Sequence, residues 1–193
     1  MTTIHQPIRL LGIAGSLRAA SFNRALLRAA VELAPSGVEI TTFDELGALP
    51  LYDGDVEATG DPVAVSSLRA AIDASDAVLF VTPEYNDGTS AALKNAIDWA
   101  SRPPRRTLAA KLAAVMGASV TPGGAHGGIE SVKRSLRRAG TEVLDEQVGI
   151  ASAPDAFDPE LRLIDPLIRA EVASLVASLA ARASVGLEEP IAA

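Results

Sequence analysis

A chain of 193 residues, 48% hydrophobic and 21% charged, has the size and composition of one globular domain with a substantial core. Its formal net charge of −7 argues against a general nucleic-acid binder, which needs a surplus of Lys and Arg to meet phosphate. With no Cys there is no disulfide, no thiolate nucleophile and no Cys-ligated metal or iron–sulfur cluster, and two His are too few for most imidazole metal sites.

The apolar segment 8–14 is short and Arg18 soon follows it, so it reads as a first strand and not as a secretory leader. The turn 15–21 leads into a helix with Phe22, Leu26, Ala29, Ala30 and Leu33 on one face, and Ser21 is placed to cap it. Pro35-Ser36-Gly37 ends that helix, and 38–43 alternates as a second strand. The polar stretch 44–61, with Pro50, Gly54 and Gly60, is too irregular to assign and has the length of a lid or an interface segment. Pro62 stands at a helix start, with Val65, Leu68, Ala71 and Ile72 at helical spacing.

The run 77–81 is a third, fully buried strand that ends in Pro83-Glu84-Tyr85-Asn86 and passes into a helix through Leu93, Ala96, Ile97 and Ala100. Arg102-Pro103-Pro104-Arg105-Arg106 reads as a solvated break. A fourth strand, 112–116, opens into the Gly-rich turn 117–124. The next helix turns Ile129, Val132 and Leu136 inward and Lys133, Arg134, Arg137 and Arg138 outward, and Gly140 stops it. A fifth strand at 143–148 precedes a long final helix marked by Ile164, Ile168, Val172, Leu175 and Leu179. Arg169, Glu171 and Arg182 keep this Ala-rich region short of the roughly 18–20 apolar residues that span a bilayer, so no membrane attachment is expected and the location expected is cytoplasmic. Alternating strands and helices predict an α/β, flavodoxin-like three-layer sandwich: a five-stranded parallel sheet, order 2-1-3-4-5, with helices on both faces. It forms a single domain over 1–185, with a frayed tail at 186–193.

In such a sheet ligands bind at the carboxyl edge. The first turn has the composition of a phosphate cradle: Ser16 and Ser21 offer hydroxyls, Arg18 a guanidinium, Asn23 an amide, and the helix start its backbone N–H groups. A polar loop with a capping Ser would look the same. At the third turn, the Tyr85 ring and the backbone of Tyr85 and Asn86 suit a flat heterocycle. Phosphate at one turn and a planar ring at the other describe a mononucleotide such as FMN. A dinucleotide is the rival, because Gly12 and Gly15 end the first strand and Asp44 follows the second; the missing third glycine weighs against it.

Gly15-Ser16-x-Arg18-x-x-Ser21-x-Asn23 and Pro83-Glu84-Tyr85-Asn86 with Leu93-Lys94-Asn95-Ala96-Ile97-Asp98-Trp99 make the chain resemble the NAD(P)H-dependent FMN reductase family, which includes flavin, quinone, azo-dye and chromate reductases. The resemblance covers roughly residues 10–140. It implies that Ser16, Arg18, Ser21 and Asn23 hold the FMN phosphate, that Pro83, Glu84, Tyr85 and Asn86 border the ring, and that Ser119 adds to the site from the fourth turn. It also implies NADPH or NADH as co-substrate, a small-molecule electron acceptor, and a homodimer or dimer of dimers. No catalytic side chain and no metal are required, since the flavin carries the chemistry. Where many members have Ser and Pro-Gly between the halves of the ring motif, this chain has Asp87-Gly88-Thr89-Ser90-Ala91-Ala92, which bears on substrate preference. A flavodoxin-like electron carrier or an FMN-binding regulatory protein, without NAD(P)H turnover, is the alternative on the same fold.

Overall fold

The computed structural model describes residues 6–188. In chain order the elements are β1 Ile8–Ala14, α1 Phe22–Glu32, β2 Val38–Thr42, α2 Gly54–Ala58, α3 Val63–Ala74, β3 Ala77–Thr82, α4 Ala91–Ser101, β4 Leu112–Ala118, α5 His126–Ala139, β5 Glu142–Ile150, α6 Ala153–Ala156 and α7 Pro166–Glu188. The strands form one parallel sheet in the order β2-β1-β3-β4-β5, the flavodoxin-like arrangement that the sequence predicts.

Every residue of β3 and β4 is buried, and successive side chains alternate between two cores. Leu79, Val81, Ala114 and Met116 pack with Leu26 of α1 and Leu179 of α7 on one face. Val78, Phe80, Ala113 and Val115 pack with Leu68 of α3, Ile97 of α4 and Val132 of α5 on the other. Burial on both faces is why these strands read as unbroken apolar runs and not as alternating ones. With β1 flanked by β2 and β3, the chain changes its direction of travel across the sheet at β1 and β3. Their carboxyl ends therefore border the switch-point crevice.

Four local expectations change. The stretch 44–61 contains a 3₁₀ turn, Leu46–Ala48, and the short helix α2, and it is strapped to α4. The Pro50 carbonyl accepts from Trp99 Nε1 and Asn95 Nδ2, both at 2.8 Å, and Leu46 and Leu49 are buried. Lys133 is not outward: it is 3% exposed, its Nζ donates to the Asp145 carbonyl at 2.8 Å, and burial lowers its pKa. The break at 102–106 is exposed from Pro103 to Arg106 as expected, and within it Arg102 lies over the Tyr52 ring and Arg105 pairs with Asp73 at 2.7 Å. Ile164 precedes the final helix, which begins at Pro166 behind an Asp165 carboxylate that accepts the Leu167 and Ile168 N–H groups. That helix continues past Gly186 to Glu188, and residues 189–193 of the expected tail lie outside the described residues.

Candidate functional site

At the end of β1, the Gly15 N–H donates to the Val81 carbonyl at 2.7 Å and extends the β1–β3 pairing into the first turn. A Cβ on Gly15 would stand 3.0 Å from both Leu93 Cβ and Ser90 Oγ, so the bare backbone is what lets α4 approach this closely. Ser90 Oγ donates to the Gly15 carbonyl at 2.6 Å and accepts the Leu93 N–H at 3.2 Å. One hydroxyl thus caps α4 and pins the first turn to it.

The polar residues of that turn divide by what their atoms already hold. Ser21 is the N-cap of α1, its Oγ accepting from Asn23 N–H at 3.2 Å and Arg24 N–H at 3.4 Å. The buried Asn23 amide grips one residue of β4: Nδ2 donates to the Ala118 carbonyl at 2.9 Å, and Oδ1 accepts the Ala118 N–H at 2.8 Å. Ser16 and Arg18, by contrast, have no side-chain hydrogen bond or ion pair among the described residues, and both line a cleft. Ser16 is 6% exposed, whereas Arg18 reaches solvent.

Across this cleft, Tyr85-Asn86-Asp87-Gly88 forms a tight turn closed by Tyr85 N–H to Gly88 O at 2.9 Å and Gly88 N–H to Tyr85 O at 3.0 Å. Asn86 and Asp87 have φ of 49° and 59°, the left-handed region that Asn and Asp tolerate better than other side chains. Behind it, Thr82 Oγ1 lies 2.7 Å from both the Pro83 carbonyl and Thr89 Oγ1. The Tyr85 side chain is left 53% exposed.

The third wall comes from the fourth turn and α5. Ala125, at the N-cap of α5, provides no side-chain cap, and Glu84 acts in its place: Oε2 accepts the Gly128 N–H at 3.1 Å. A Cβ on Gly128 would stand 2.7 Å from the Pro83 carbonyl, and one on Gly127 2.9 Å from the Asp87 carbonyl. The glycine pair therefore lets the start of α5 abut the 83–88 turn directly. Ser119 bonds Thr121 through their hydroxyls at 2.9 Å, and its N–H donates to Ile150 O at 2.9 Å.

The result is a cleft of about 90 Å³ lined by Ser16, Arg18, Phe22, Asn23, Pro83, Glu84, Tyr85, Ala118, Ser119 and Val120. Of the residues expected at the site, Ser21 and Asn86 fall outside this lining; Ser21 is buried as a cap and Asn86 sits in the exposed turn. A larger neighbouring cavity, about 250 Å³, shares Ser16 but lies toward β2 among Arg24, Arg28, Thr42 and Asp44. Only the smaller cleft joins both turns. Ser90, Gly127 and Gly128 are the site-forming residues that motif reading leaves out. Ser90 is legible as a cap three residues before Leu93, whereas the glycine pair gains its meaning only from contacts across the sheet edge. Among the described residues no three His, Asp or Glu side chains gather where they could hold a metal.

Residues 8–155 match the sequence profile of a family described as NADPH-dependent FMN reductase. The NAD(P)H-dependent FMN reductase of Pseudomonas aeruginosa is 44% identical over 163 residues, covering 84% of this chain and 88% of that protein. The NADPH:quinone oxidoreductase of Arabidopsis thaliana is 37% identical over 193 residues, covering 94% of each. Among solved structures, FerB, a flavoenzyme NAD(P)H:(acceptor) oxidoreductase from Paracoccus denitrificans, superposes with a TM-score of 0.83 at 30% identity, covering 92% of this chain and 98% of FerB.

Proposed function

The chain belongs to the NADPH-dependent FMN reductase family, and from that premise we propose that it is an FMN-dependent oxidoreductase that passes reducing equivalents from NADPH or NADH to a small-molecule acceptor. The observation that carries this reading is the convergence of the first turn, the 83–88 turn and Ser119 on one cleft at the switch point of the sheet. When bound, FMN supplies the hydride chemistry.

The residues present fit that group. Arg18 and Ser16 bring a guanidinium and a hydroxyl with no protein partner among the described residues to the start of α1, where the helix dipole also favours an anion. These two would hold the phosphate. Ser21 and Asn23 serve it indirectly, Ser21 by capping α1 and Asn23 by locking α1 to β4. Pro83, Tyr85 and the backbone at Asn86 would border the ring, with Ser119 and Val120 facing them. Glu84 fixes the position of that border through Gly128. The names of the relatives support a quinone or a free flavin as the small-molecule acceptor. A cytoplasmic homodimer or dimer of dimers completes the reading.

Titrating the purified chain with FMN and with riboflavin tests it. FMN should bind near one per chain with a perturbed flavin spectrum, and riboflavin, lacking the phosphate, more weakly. Equal affinity for the two would remove the first turn from the site.

A further inference from the structure

The groove between α4 and α5 gathers charge of one sign. It encloses about 550 Å³ and is lined by Lys94, Arg102, Arg106, Arg134 and Arg138, with Asp98 as its one carboxylate. Asp98 is already engaged, both of its oxygens lying 2.7 Å from Lys94 Nζ. None of the four arginines has a carboxylate within ion-pair distance among the described residues. In a chain of net charge −7, four uncompensated guanidinium groups around one groove focus a positive field there.

Helix dipoles account for basic residues at the C-terminal ends of α4 and α5, and so for Arg102 and Arg138 taken singly. They do not account for Arg106, which lies beyond α4, or for Arg134, which stands more than a turn before the end of α5. Arg102 is also held in place, its guanidinium 4.5 Å from the Tyr52 ring centroid, and its buried Nε has no acceptor among the described residues. Tyr52 in turn packs edge-on against Trp99 at 5.0 Å.

We propose that this groove binds a small ligand carrying two or more linked phosphates, of the class of a nucleoside triphosphate or inorganic tripolyphosphate. Arginine's planar fork matches phosphate oxygens two at a time, and several unpaired guanidinium groups call for a ligand of several negative charges. The volume falls within the roughly 300–1,000 Å³ of small-molecule sites. A long nucleic acid would meet the repulsion of the acidic chain beyond the groove. The site is separate from the cleft that joins the first and third turns, since no residue lines both.

Trp99 is the only tryptophan and reports on the groove through Tyr52 and Arg102. The full chain, titrated at low ionic strength with tripolyphosphate and with ATP, should give a saturable change in tryptophan fluorescence. Equilibrium dialysis with ATP should give the same affinity. R134A/R138A, at exposed helix positions, should weaken binding by about tenfold or more while leaving FMN affinity and the circular dichroism spectrum unchanged. Should that variant not fold, R106A, outside the helices, takes its place with a smaller loss in the same direction. Similar affinity for the two ligands assigns recognition to phosphate alone, and tighter ATP binding adds a nucleoside contact; either result supports the proposal. It is overturned if dialysis finds no saturable binding, if the variants bind as the wild type does, or if citrate binds equally well. Loss of a subunit contact in R134A/R138A, seen as a fall in light-scattering mass with no oligophosphate binding to the wild type, would also overturn it.

Discussion

Arg18 and Asn23 are five positions apart in one short polar segment, yet the fold gives them opposite tasks. The Arg18 guanidinium has no protein partner among the described residues, whereas both ends of the Asn23 amide are tied to Ala118. Arg18→Ala should therefore cost about 1.5–3 kcal/mol of FMN binding, the worth of a charge-assisted hydrogen bond, with little change in urea-unfolding stability. Asn23→Ala should do the reverse first. It leaves the buried Ala118 N–H and carbonyl without partners and should lower unfolding stability by about 1–3 kcal/mol. Unfolding curves and FMN titrations on the two variants separate these roles; an Arg18→Ala protein of unchanged FMN affinity would return Arg18 to the solvated surface. Sequence reading singled out the polar side chains of this turn because their types suit a phosphate. It did not find which were already engaged, because the partner of Asn23 lies 95 residues away.

Among the elements, the join between the 83–88 turn and α5 builds the wall of the cleft that faces the first turn. Glu84 stands in for the missing cap of α5, and Gly127 and Gly128 allow the two backbones to touch. Glu84→Ala removes the acceptor and should lower both thermal stability and FMN affinity, while leaving the proposed phosphate contact at Arg18 unchanged. Glu84→Gln keeps an acceptor oxygen and should recover most of the loss. Equal damage from Ala and Gln, with the flavin absorbance spectrum shifted alike, would mean that the charge of Glu84 matters to the ring and not its bond to Gly128. The stretch 44–61 shows the opposite limit of legibility. Its own residues carry no helical or strand period, and its order comes from α4, through the Pro50 carbonyl and the Asn95 and Trp99 side chains. A structure that depends on a distant partner leaves no local pattern to read.

For the molecule as a whole, the parallel sheet was legible because both of its faces are covered. The unbroken apolar runs in β3 and β4, separated by helical periods, admit few other arrangements. The proposed assembly concerns what that sheet leaves open. Tyr85 is 53% exposed and Val120 64% exposed on the rim of the cleft, and Leu51 on the neighbouring strap is 79% exposed. A symmetric contact between two chains would cover such rims. Light scattering at micromolar concentration should give at least twice the 19.9 kDa chain mass with FMN bound, and a monomer mass would remove the shared-rim arrangement.

The most direct test of the proposed activity follows electrons through the protein. FMN-loaded protein, mixed anaerobically with NADPH in a stopped-flow instrument, should lose its oxidised-flavin absorbance much faster than free FMN at the same concentration. A quinone added afterwards should restore that absorbance. Flavin that binds yet is reduced no faster than in free solution would contradict the account and leave the chain as an FMN carrier.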